Sequence, residues 1–276
     1  MIGELGKGKV TLAKTLGVSV SSLYYKKKLP EKDRALKIRI EEAWQYHPAY
    51  GHRRLAIHLK SNKKRIRRVM KLFDLHPYRR RGKKPRKTGR ISGMLYPNRT
   101  KNIVPEYAGH LWSADFTYLS YKGKFLYVAT VIDLFTRRIV GWSVARSHTT
   151  PLVLQALFMA LSAHARPAIF HSDNGSEYAS KVFTRVLTET GIDISRIAPG
   201  CPWENGYQES FYGKFKIDLG DTDRFTSLGE LVYEITKTIW YYNYLRIHTA
   251  IKMPPAIFAQ RHERKLVEFN SKERGT

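Results

Sequence analysis

The chain has a single cysteine, Cys201, in 276 residues. An internal disulfide is therefore excluded, as is any metal site built on several thiolates, and nothing asks for an oxidising compartment. Long apolar runs are missing too. The N-terminus, MIGELGKGKVTLAKTLGVSV, lacks the uninterrupted core of a signal peptide, and PLVLQALFMALSAHA (151–165) is too short and broken to span a bilayer. The expectation is a soluble cytoplasmic chain with no membrane partner. Acidic residues are scarce: 23 Asp and Glu stand against 49 Lys and Arg, a formal charge of +26. That surplus exceeds what solubility needs and points to a polyanionic partner, nucleic acid first, although a ribosomal protein or a basic secreted factor would share the bias. Apolar residues are not scarce. At 42% apolar and 12% aromatic, the chain can bury a substantial core and is not a disordered tail.

The positive charge is concentrated. Between Arg53 and Arg90, 17 Lys and Arg face one acid, Asp74. Within this block GHRRLAIHLKSN and KRIRRVMKLFDL carry apolar residues at helical spacing (Ile66, Val69, Met70, Phe73). They predict two short amphipathic helices with basic outer faces, Arg53, Arg54, Arg67 and Arg68 among the candidate DNA contacts. A solvated basic helix pair is the competing reading. Upstream, TLAKTLGVSVSSLYYKKK (11–28) has Ala13, Gly17, Val18 and Leu23 where two helices joined by a tight turn would pack. It predicts a helix-turn-helix whose second helix starts at a Ser19 cap and presents Ser21, Ser22 and Tyr24. RRRGKKPRKTGRISG (79–93) reads as a basic linker able to lie along phosphates.

From about Pro105 the pattern changes. LWSADFTYLSY, KFLYVATVIDLF and RRIVGWSVAR predict a three-stranded meander, with turns at Lys122-Gly123 and near Thr136-Arg137. A helix at 150–164, a strand at 166–173, a helix at 176–191, a strand at 192–198 and a helix from Glu204 to about Lys216 follow. This order is α/β, with the later strands parallel and helices on the sheet faces. Asp115 lies mid-strand among apolar residues, where Ser, Thr or Val would serve better. Asp173 ends the strand AIFHSD before Asn174-Gly175, and a turn or cap role competes there. Burying either is costly without a partner or a cation.

Asp115, Asp173 and Glu209 are separated by 57 and then 35 residues. The segments around them, WSADFTYL, FHSDNGSEYAS and PWENGYQESFYGKFK, together with YGHRRLAIHLK and the tail WYYNYLRIHTAIKMPPAIF, resemble the OrfB-type transposases of the insertion sequence 3 family. Their DDE core is similar to that of retroviral integrases. The resemblance covers nearly the whole chain. It implies a ribonuclease-H-like core, a mixed five-stranded sheet with flanking helices, preceded by a small all-α DNA-binding region. The implied organisation is a helix-turn-helix remnant (1–29), a basic helical region (30–78), a linker (79–104), the catalytic core (105–220) and a helical tail (221–276).

It further implies that Asp115, Asp173 and Glu209 are catalytic and bind two Mg²⁺, or Mn²⁺ in their place, for in-line phosphoryl transfer. Implied partners are double-stranded DNA, a second copy of the chain on that DNA, and a fusion with an upstream-frame product; on DNA the protein would be nucleoid-associated. Lys216 lies two helical turns beyond Glu209 and Asn205 one turn before it, so both share its face as candidate DNA contacts. Arg246 and His248 match a basic pair of the family tail, with Ile247 where a proline is common. His171 reads as a satisfied histidine under the sheet, Glu177 as a first-turn acid with a minor chance of tuning the site, Asp133 as a strand-ending residue and Glu204 as a helix-start acid. Two rivals stand beside the transposase: a catalytically silent DNA-binding regulator derived from one, and a nuclease acting on RNA–DNA hybrids.

Overall fold

β-branched and aromatic residues alternate through the first three runs of the core, and they pair as a meander. The computed structural model describes residues 2–23, 29–78, 96–101, 103–197, 201 and 205–263. β1 (Leu111–Tyr121), β2 (Lys124–Asp133) and β3 (Ile139–Ala145) are antiparallel neighbours. Lys122 and Gly123 close the first hairpin with positive φ at both positions (46° and 77°), a two-residue turn whose twist suits the strands. β4 (Ile169–Ser172) and β5 (Asp193–Arg196) then add in parallel on the other side of β1, giving the order β3-β2-β1-β4-β5. The expected mixed sheet is therefore present.

Side-chain alternation gives the sheet two buried faces. Leu111, Leu119, Val128 and Ile132 pack under α9 (Gly206–Leu219) and α10 (Leu228–Tyr244), through Phe211, Phe215, Leu231 and Ile235. Trp112, Ala114, Ala129 and Val131 face α6 (Thr150–Ala163) and α8 (Lys181–Glu189) instead. α6 comes unusually close to β3. A Cβ on Gly141 would stand 2.1 Å from the Ala156 carbonyl oxygen, so only glycine fits at that crossing. The helix expected at 176–191 is two helices, α7 (Ser176–Ala179) and α8. Ser180 adopts an extended backbone between them and its hydroxyl accepts from the Phe183 amide, capping the second.

The N-terminal part is helical. α1 (Ile2–Thr15) ends in a Gly17 turn with φ 65°, where the Val18 amide bonds to the Ala13 carbonyl and the Gly17 amide to that of Lys14. α2 (Val20–Leu23) follows Ser19 as expected, but Val18 is exposed rather than packed; Tyr24 lies outside the described residues. α3 (Leu29–Tyr46), α4 (His52–His58) and α5 (Lys63–Leu72) form a separate small core around Leu36, Ile40, Leu55, Ile66 and Val69. Met70 and Phe73 pack at its edge, so the helical spacing read in that block is the observed one. The linker segment 79–93 lies outside the described residues. From Tyr96 the chain is already on the core: the Arg99 amide donates to Ser195 Oγ at 2.9 Å, and the Arg196 amide to the Pro97 carbonyl.

Candidate active site

Asp115 belongs to the β1 face that looks toward α9, the face that also carries Leu111, Ser113 and Leu119. The parallel β1–β4 ladder ends at the Ser113–His171 pair; Asp115 follows within β1 and Asp173 follows just past the end of β4, near enough for its charge to act on Asp115. The Asp115 carboxylate accepts from the Phe116 amide at 2.8 Å, and that of Asp173 from the Gly175 amide at 3.0 Å. Both are half-buried. Burial raises the Asp115 pKa to about 8, with Asp173 and then Glu209 adding like charge while Lys216 offsets part of it. The Asp173 pKa is raised as well, by burial and by Glu177, against the Gly175 amide and Arg196.

The third carboxylate sits on α9, and a buried polar network fixes that helix to the sheet. Gln208 Nε2 donates to the Ser113 carbonyl at 2.7 Å, and its Oε1 accepts from Thr130 Oγ1 at 3.0 Å. The Tyr212 hydroxyl donates to the Asp115 carbonyl at 2.6 Å and lies 2.8 Å from Thr130 Oγ1. Asn205 Oδ1 accepts from Ser113 Oγ at 2.8 Å. Thr130 is itself the cross-strand partner of Asp115, so the clamp centres on the β1–β2 pair at that residue. Glu209, next to Gln208, remains exposed.

Two further groups stand behind Asp173. Arg196 is fully buried; its guanidinium donates to Ser172 Oγ and, at 2.6 Å, to the Tyr178 carbonyl. Glu177 is buried and pairs with His148 Nδ1 at 2.6 Å. A Cβ on Gly175 would lie 3.0 Å from both the Asp173 and the Glu177 carboxylates, so glycine lets these two acids approach. Glu177 is thus a buried neighbour of the site as well as the first-turn acid of α7. Arg196 and His148 gave no signal in sequence, since each reads as an ordinary residue of a strand or a loop.

The other sequence candidates divide. Arg53 and Arg67 are exposed, and Lys216 holds its ammonium 5.1 Å from the Tyr118 ring centre. Four proposed DNA contacts are engaged inside the protein. Arg68 makes a bidentate pair with buried Asp33 (2.6 and 2.7 Å), and Arg54 Nε donates to the Ile247 carbonyl. Arg246 is 2% exposed with Nε 2.5 Å from Asp218, and Asn205 is buried in the clamp. His248 is half-buried, its amide bonded to the Met253 carbonyl. His171 is buried with Nδ1 2.9 Å from Ser195 Oγ, and Asp133 caps its turn by accepting from Thr136 and the Gly109 amide, both as expected. Glu204 lies outside the described residues.

The donor set suits a hard divalent cation: three carboxylates, with no thiolate or imidazole among them. The like-charge pressure on Asp115 is what a cation would relieve. Among the described residues, no three His, Cys, Asp or Glu side chains stand close enough as placed to form a preset metal cage.

A family model described as integrase core domain matches residues 105–202, and a second with the same description matches residues 190–255. The transposase for insertion sequence element IS904 of Lactococcus lactis subsp. lactis (strain IL1403) is 33% identical over 195 residues, 69% of this chain and 77% of that protein. The transposase for insertion sequence element IS629 of Shigella sonnei is 37% identical over 180 residues, 64% of this chain and 60% of that protein. A chain of the cryoEM structure of the simian T-cell lymphotropic virus intasome with PP2A regulatory subunit B56 gamma superposes with a TM-score of 0.50 at 18% identity. That match covers 79% of this chain and 73% of the other, and it shows the fold. The 33% identity with a transposase of which this chain spans 77% carries the assignment: the chain belongs to the insertion sequence 3 family of DDE transposases, enzymes of DNA transposition and integration built on a ribonuclease-H-like core.

Proposed function

We propose that this chain cuts DNA at the ends of a mobile element and joins the freed 3′-hydroxyl to a target duplex, with Asp115, Asp173 and Glu209 as the catalytic carboxylates. The observation that supports the proposal is that the charges of Asp173 and Glu209 both bear on Asp115, while hydrogen bonds from Gln208 and Tyr212 tie the helix that bears Glu209 to β1. The three carboxylates would hold two Mg²⁺, or Mn²⁺ in their place. Bound there, the ions would activate the attacking oxygen and stabilise charge on the leaving oxygen of an in-line displacement. The remaining work is positioning. Gln208 and Tyr212 hold α9 against β1, Arg196 sets countercharge behind Asp173, and Lys216 would meet a DNA phosphate. The basic helices, through Arg53 and Arg67, would lie along the duplex.

On DNA the protein would work as a homo-oligomer, associated with the nucleoid, and with an upstream-frame product fused ahead of it. No described helix is long and apolar enough to cross a membrane. The test is Mg²⁺-dependent cleavage and joining of a fragment carrying the element's ends. Wild type should cut and join, whereas Asp115→Asn should bind and do neither. Binding by both with cutting by neither would overturn the enzyme reading.

A further inference from the structure

The flank of α9 turned from the carboxylates closes over a small cavity of about 30 Å³, room for roughly two water-sized oxygens. Arg137, Tyr207, Ser210, Lys214 and His248 line it. Almost everything polar around it donates. Arg137 Nε and Nη1 are buried with no hydrogen-bond partner among the described residues, and so is Nη1 of neighbouring Arg246. Orphaned buried donors of this kind are rare in folded proteins and call for an explanation. Lys214 spends one proton on Ser210 Oγ, leaving the serine hydroxyl free to donate. His248 Nδ1 accepts from the Ala250 amide at 3.4 Å, so the neutral ring carries its proton on Nε2.

These cations also repel one another. Burial, then Arg246 and Arg54, lowers the Lys214 pKa to about 8; burial, then Lys214 and Arg137, lowers that of His248 to about 3. The carboxylate that bears on Lys214 is Asp218, already taken by Arg246. Arg137 sits at φ 66°, a region that disfavours any residue with a Cβ, and its guanidinium is stacked 4.1 Å from the Tyr207 ring centre. A guanidinium whose buried Nε and Nη1 find no acceptor among the described residues, in a cavity lined by further donors, suits an anion.

We propose that this pocket binds one phosphate of the DNA backbone, one helix face away from the carboxylate on Glu209. The proposal rests on the transposase reading, which supplies DNA as the source of the phosphate. It assigns His248 to a recessed pocket rather than to the exposed tail surface.

The full chain tests it through Lys214→Gln and Arg137→Gln, with Arg137→Lys as the conservative partner. Binding to an end-containing duplex is titrated against salt without divalent metal. Each Gln variant should flatten the log–log slope by about 0.9, the share of one phosphate, and Arg137→Lys should recover most of it. Inorganic phosphate should raise the Tm of wild type and leave that of Lys214→Gln unmoved. Wild-type slopes in both Gln variants overturn the proposal, even where inorganic phosphate still raises the Tm, since the pocket would then take a free anion. If Arg137→Gln does not fold, Lys214→Gln decides alone. A flattened slope in a protein that never cuts with Mg²⁺ leaves the pocket standing and sinks the transposase reading instead.

Discussion

Asp173 lies just past the end of β4, and its charge bears on Asp115, two residues beyond the last β1–β4 pair, Ser113–His171. The strand register sets the end of the ladder and is fixed by the whole buried face rather than by either acid, and the turn after β4, where the Gly175 amide donates to the Asp173 carboxylate, sets the rest.

That relationship makes the contribution of Glu209 separable from that of Glu204. Glu209→Gln should lower the rate of cutting and joining by a factor of about 10² or more, because one of the three carboxylates proposed to hold the divalent ions is lost. Glu204→Gln, which changes the helix-start acid of the sequence reading, should stay within roughly threefold of wild type. Both variants should bind end DNA. A comparable loss in Glu204→Gln would remove the distinction between the two.

In metal-free protein Asp115 holds its proton up to about pH 8, because burial comes first and Asp173 and Glu209 follow. A folded pKa above the ordinary 3.8 means that the contribution of this group to stability is full below about pH 4 and is lost as pH rises through about 8. Metal-free wild type should therefore lose stability between pH 6 and 9 more steeply than Asp115→Asn. The variant should melt higher at pH 9, by about 2–4 °C for each kcal/mol relieved. Mg²⁺ should raise the wild-type Tm more at pH 8 than at pH 6 and do little for Asp115→Asn. Parallel melting curves for the two proteins across this range would refute the account.

The strands were legible in sequence because alternation and a Lys-Gly turn are local signals, and the Asp115, Asp173 and Glu209 spacing was legible through a family resemblance. What escaped was set by distant partners. The break at Ser180 depends on a single side-chain cap within a continuous helical pattern. Helix α3 buries only Leu36, Ile40, Ala43 and Asp33 from a highly charged segment, so its periodicity is weak. Arg54, Arg68 and Arg246 look like free cations in sequence, because their partners Ile247, Asp33 and Asp218 are known only once the chain has folded.

The clamp on α9 makes its own forecast. Tyr212→Phe removes the bond to the Asp115 carbonyl while keeping the ring, and should cost about 1 kcal/mol of stability. Its larger effect should be on turnover: kcat should fall and the Mg²⁺ midpoint should rise, with DNA affinity unchanged. Gln208→Glu, which keeps an acceptor for Thr130 but loses the donor to Ser113, should behave alike. If kcat tracks Tm alone across a set of unrelated core variants, the clamp has only a structural role.

Arg67 and Arg68 are adjacent on α5 and should respond in opposite ways. Arg68 closes a bidentate pair on Asp33, which is 2% exposed, so Arg68→Ala strands a buried carboxylate. Arg68 is itself 44% exposed, so solvent screens part of that loss, and the variant should show a lowered Tm. Asp33→Asn with Arg68→Ala should recover some of it. Arg67 is exposed, and Arg67→Ala should leave the Tm in place while weakening DNA binding and flattening its salt slope by about 0.9. Thermal melts and salt titrations of the two single variants separate the roles. A lowered Tm in Arg67→Ala, or a flattened slope in Arg68→Ala at unchanged Tm, would reverse the assignment and put Arg68 on the DNA.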